Sequence, residues 1–79
     1  METIKTVNGG TVTRTYEELC HELGIDASTK YVKVQDGRIG FTCGKIEEAQ
    51  HLLAEVKQLG YVPTPGLLDA ARDGRPKWW

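Results

Sequence analysis

At 79 residues the chain holds one core and no second domain, and a chain of this size buries only about 60% of the surface its unfolded form exposes. An apolar share of 39% with 27% charged residues excludes a disordered chain. Ten basic residues against eleven acidic ones, a formal charge of −1, exclude the strongly basic composition of a dedicated duplex-DNA binder and the strongly acidic one of a whole-molecule DNA mimic, so any electrostatic recognition falls to local patches.

Thr3-Ile4-Lys5-Thr6-Val7 and Thr11-Val12-Thr13-Arg14 are rich in β-branched residues, with Asn8-Gly9-Gly10 between them. Asn-Gly supplies the positive φ angles of tight hairpin turns, and a first β-hairpin is expected. Thr15-Tyr16-Glu17-Glu18 matches a capping box, which starts a helix at 16. Gly24 ends it near 23 in the left-handed position, with Ile25 folding back over the last turn. Tyr31 to Gln35 alternates with period two, Asp36-Gly37 follows, and Arg38 to Thr42 returns as the partner strand. Val32, Val34, Ile39 and Phe41 are expected on the core side, and Tyr31, Lys33 and Arg38 on the other.

From Lys45 to Leu59 the apolar residues Ile46, Ala49, Leu52, Leu53, Val56 and Leu59 form one helical stripe, with Glu47 and Glu48 in the first turn and Lys57 in the last. Gly60 closes this helix. Val62-Pro63-Thr64-Pro65 forces an extended bend, and Thr64 as cap with Pro65 at the first helical position predicts a short helix to about Arg72. Leu67, Leu68 and Ala71 are its candidate packing residues. The end, Asp73 to Trp79, carries no regular signal. The predicted class is α+β: a small antiparallel sheet built from two hairpins, with two helices on one face in the order ββαββα. The core spans 1–63, and 64–79 adds the short helix and a basic-aromatic tail. The other sheet face is left to solvent or to a partner.

Lys5, Tyr31, Lys33 and Arg38 fall together on that open face. An aromatic ring among cations suits a stacked base with its phosphates, or an acidic protein surface. A solvated face with lysines guarding its edges explains the same pattern. Glu17, Glu18 and Glu22 lie in one short helix without a basic residue, an acidic side opposite the basic one; helix capping alone accounts for the first two. Lys77-Trp78-Trp79, with Arg72 and Arg75 nearby, is either an interface grip or a cap on the domain's own core.

For catalysis the inventory is thin. Cys20 and His21 are adjacent on a helix and diverge by about 100°, so they do not form a nucleophile–base pair. Cys43 precedes a helix, but its alternation with Ile39 and Phe41 turns it towards the core. Cys20, His21, Cys43 and His51 lack the paired spacing of a zinc site, and Ser28, the only serine, has no acid–base partner nearby in sequence. The expectation is a non-enzyme with no cofactor and no metal. No signal-like or membrane-spanning run is present, and two cysteines are too few for a secreted disulfide scaffold, which points to the cytoplasm.

Glu18 to Gly24 followed by Ala27-Ser28-Thr29 looks like the first helix and turn of a helix-turn-helix, yet Val32 and Val34 alternate as a strand where its second helix belongs. In length, in its capped compact α/β elements, in the lack of a catalytic set and in the Arg75-Pro76-Lys77-Trp78-Trp79 end, the chain resembles the small inhibitors made by phages and other mobile elements, including the anti-CRISPR proteins. The likeness is one of build, so it implies a function but no site residues. What it implies is a non-enzymatic protein-binding inhibitor that docks on a nucleic-acid-handling defence complex and blocks its access to nucleic acid. Such a protein is a monomer or weak homodimer that does not engage membranes. The rival reading is a small nucleic-acid-binding domain that uses the basic sheet face and the Lys-Trp-Trp tail.

Overall fold

Capped helices and glycine turns punctuate the chain where the residue pattern places them. The computed structural model describes residues 1–26, 32–43, 45–73 and 77–78, with Cys43, Lys77 and Trp78 described by their backbone alone. In chain order the elements are β1 (Glu2–Lys5), β2 (Thr11–Arg14), α1 (Tyr16–Leu23), β3 (Val32–Gln35), β4 (Arg38–Cys43), α2 (Ile46–Gln58), α3 (Pro65–Asp73) and β5 (Lys77–Trp78). This is the α+β order read from the sequence, with a short fifth strand at the end. β3 occupies the place where a helix-turn-helix needs its second helix, so that reading fails.

The two hairpin turns differ. Asp36 and Gly37 both have positive φ, 55° and 78°, the two-residue geometry whose twist matches the flanking strands. In the first hairpin only Gly9 is left-handed, at φ 91°. Thr6 N–H donates to the Gly10 carbonyl and Gly9 N–H to the Thr6 carbonyl, which makes a three-residue loop with glycine at its last position. Asn8 has a different task from the one its Asn-Gly pairing suggests: its Oδ1 accepts from the Thr6 hydroxyl and the Gly10 N–H.

α1 is capped at both ends. Glu18 N–H donates to Thr15 Oγ1 (3.1 Å), and Thr15 N–H donates back to Glu18 Oε1 (2.9 Å). Gly24 (φ 69°) and Ile25 donate to carbonyls of the last turn and close the other end. Thr64 caps α3, its hydroxyl accepting from Leu67 N–H at 3.2 Å. Pro65 takes the first helical position, where no N–H is needed.

The two hairpins do not ladder directly onto each other. β1 and β2 make a two-stranded sheet, while β3, β4 and β5 make a three-stranded one with β4 central. The α2–α3 connector stitches them together. Val7 N–H donates to Gly60 O (2.9 Å) and Val62 N–H to Lys5 O (3.1 Å) on the β1 side. On the β4 side Ile39 N–H donates to Val62 O (2.9 Å) and Thr64 N–H to Ile39 O (2.9 Å). That is a parallel bridge centred on Pro63. On the connector side the bonds are made by Val62 and Thr64, which flank Pro63, so proline's missing N–H costs no bond. A direct bond, Lys5 N–H to Gly37 O (2.8 Å), closes the seam. At the outer edge of β2, Arg14 Nη1 donates to the Thr13 carbonyl and covers part of what an edge strand exposes.

One core lies between the sheets and the helices. Ile4, Leu19, Leu23, Ile39, Phe41, Val56 and Leu67 are fully buried, each contributing about 1.5–3 kcal/mol by leaving water. α2 and α3 pack on each other and on β4, and α1 touches β2 and α2. Val32, Ile39 and Phe41 are buried and Val34 half-buried, as alternation predicts. In α3 the stripe from Leu67 takes Ala70 and Ala71, and Leu68 points outwards at 43% exposure. β5 folds the chain end back, pairing Thr42 with Trp78 and Cys43 with Lys77, where the sequence carries no strand signal.

Two expectations follow from these contacts. Gly37→Ala forces a side chain into the left-handed region, and its Cβ comes within 2.6 Å of Lys5 Cγ. It is expected to cost about 1–2 kcal/mol, read from the denaturant midpoint. The bonds from the Thr15 backbone and hydroxyl hold the Glu18 carboxyl below the ordinary carboxylate range. A lowered folded pKa adds stability above the unfolded value that is lost as pH falls through the folded one. Stability measured down the acid limb is therefore expected to fall less steeply in Glu18→Gln than in the wild type.

Candidate partner-binding site

Lys5 ends β1 and Arg38 begins β4, and the Lys5–Gly37 backbone bond brings these two ends together. The aliphatic stem of Lys5 runs across Gly37, where a side chain would block it. Both cations are exposed, and both line two neighbouring hollows. The larger, about 680 Å³, is also lined by Gln35, Asp36, Thr64 and Pro65. The smaller, about 280 Å³, is bounded by the first hairpin loop from Thr6 to Thr11 and by Val62. Lys5 and Arg38 therefore stand at the common border of the two hollows.

The other residues of the expected basic face divide. Lys33 is half-buried, sits across from Gly40 in the β3–β4 register and has a partner of its own. Tyr31, Arg75 and Trp79 lie outside the described residues. Lys77 and Trp78 are placed by backbone in β5, and their side chains lie outside the description. Arg72 is 71% exposed but pairs with Asp69 and Asp73, each at 3.0 Å. It also lies seven residues along α3 from Pro65, about 10 Å from the larger hollow at helical rise, and lines a separate groove between α2 and α3 with Leu53, Ala54, Lys57 and Leu68.

The acids of α1 also divide. Glu17 is exposed. Glu18 is occupied by the capping box. Glu22 accepts from the Tyr61 hydroxyl at 2.8 Å and pairs with Arg14 Nε at 3.4 Å. Arg14, one strand away, is thus the basic partner that α1 lacks within its own sequence. Nothing periodic marks Tyr61, which follows a helix-ending glycine, yet it is only 3% exposed and ties the connector to α1. Asp36, Gln35 and Thr64 likewise enter the hollow through contacts between distant parts of the chain.

Among the described residues, no group of three or more His, Cys, Asp or Glu side chains converges to hold a metal ion. Cys20 is a buried free thiol, and burial pushes its pKa up, opposite to the shift that activates a nucleophile. His21 and His51 are exposed. No described helix is long and apolar enough to cross a membrane. No protein-family model, curated protein or solved structure matches this chain, so the site is defined by its own geometry.

Tyr61→Phe removes the hydroxyl that donates to Glu22 and is expected to cost about 1 kcal/mol. Burial, then the bond to Glu22, raises the Tyr61 pKa. A raised folded pKa gives stability that is present below the unfolded value and lost as pH rises through the folded one. The wild type is expected to lose its advantage over Tyr61→Phe at alkaline pH in denaturant titrations.

Proposed function

We propose that this domain is a non-enzymatic protein-binding module, an inhibitor of the kind its build resembles. It docks through the Lys5–Arg38 border on a nucleic-acid-handling protein complex in the cytosol and blocks that complex's access to nucleic acid. The observation that carries the docking surface is the convergence of two exposed cations from distant strands at one hollow, held there by backbone bonds. Exposed charges contribute little to stability, so the two charges themselves are available for recognition. The acidic helix side is a weaker candidate surface, because Glu18 and Glu22 serve internal contacts.

Affinity capture from the source cells tests this reading, with the wild type beside a Lys5→Met/Arg38→Gln double variant. The expected result is a defined protein partner retained by the wild type and at least about tenfold less by the variant, the equivalent of one lost charge-assisted hydrogen bond. Equal capture by both overturns the surface assignment. Retention of nucleic acid in place of protein, lost steeply as salt rises, overturns the reading in favour of a nucleic-acid-binding domain.

A further inference from the structure

We infer that the hollow beside Lys5 and Arg38 takes an acidic peptide segment of the partner, with a carboxylate of that segment lying between the two cations. This rests on the docking reading above and adds the chemistry of what docks. Backbone bonds hold the strand ends that carry Lys5 and Arg38 at one border, so an anion entering there meets two cations. Arg38 offers a planar fork that matches a carboxylate on two bonds, and Lys5 a compact point charge. The stem of Lys5 is seated over Gly37, so less of its freedom remains to be lost on binding.

The remaining lining separates a peptide from a nucleic-acid strand. Asp36 and Gln35 share the hollow with the cations. A strand carries a phosphate on every nucleotide, and a second phosphate entering the hollow meets the Asp36 carboxylate. A peptide carries its carboxylates at chosen positions and brings backbone N–H donors for Asp36 and for the Gln35 amide oxygen. The net charge of −1 gives a polyanion no long-range attraction. At about 680 Å³ the hollow is within the range of small ligand sites, about 300–1,000 Å³, and so has room for a few residues of extended chain.

The test is a titration of the intact protein followed by amide resonances. The probes are a short peptide with a single glutamate among neutral residues, the same peptide with glutamine in that place, inorganic phosphate, and single-stranded oligothymidylate. The expected result is a saturable shift with the glutamate peptide alone, centred on Lys5, Asp36, Gly37 and Arg38. Lys5→Met and Arg38→Gln are each expected to weaken it by about tenfold while resonances away from the hollow stay in place. Lys5→Met keeps the stem over Gly37, so its effect reads the charge and not the packing. Equal binding of the glutamine peptide, tighter binding of phosphate or oligothymidylate, or no saturable shift overturns the assignment. If cellular capture depends on Lys5 and Arg38 but the glutamate peptide does not bind, the acidic-peptide assignment falls and the docking reading stands.

Discussion

The backbone of Lys5 holds two distant parts of the chain at once. Its N–H donates to Gly37 at the tip of the second hairpin, and its carbonyl accepts from Val62 in the connector between α2 and α3. A two-stranded hairpin is at best marginally stable alone in water; the first hairpin gains its third partner at this seam, and the second, which also carries β5, is joined to it there. β4 receives the other side of the connector through Ile39, so the fully buried Ile4 and Ile39 are held by one continuous set of backbone bonds.

The same seam produces the charged border. In a strand, successive side chains leave on opposite faces, so Ile4 is sent into the core and Lys5 outwards, over the glycine that receives the Lys5 backbone bond. The φ of 78° and the missing Cβ at Gly37 are thus needed twice, once for the turn and once for the path of the Lys5 stem. Long cationic side chains lay their methylenes on the protein and keep the charge in water. Here that habit lays the Lys5 stem over Gly37, at the border of the hollows that Arg38 also lines.

Opposite charges are spent differently. Glu18 closes a cap, and Glu22 joins Arg14 and Tyr61 in a half-buried cluster that ties α1, β2 and the connector together. The acidic side expected from composition is therefore narrower than a count of carboxylates suggests. Paired acids project less field than free ones, and the Arg72 guanidinium is similarly partnered by Asp69 and Asp73. Lys5 and Arg38, among the described residues, are cations whose arrangement comes from the fold and not from a local partner.

What the sequence determined by itself was everything that depends on residues a few positions apart. The Thr15–Glu18 box, the Gly24 and Gly60 helix ends, the Asp36-Gly37 turn, the Thr64-Pro65 start and the alternation of Val32, Val34, Ile39 and Phe41 are each complete within one turn or one strand pair. Their energetics are local, and residue type is enough to read them. Only the tertiary structure decided that Pro63 sits in a parallel bridge, that Arg14 and Tyr61 meet Glu22, that Leu68 faces outwards, that β5 returns to β4, and that Lys5 and Arg38 line the same hollows while Lys33 is occupied. Those contacts join chain segments with no shared periodicity. They depend on which donors, acceptors and apolar faces left over from one element meet those of another when the chain closes on its core, and no pattern of residue types along the chain records that choice.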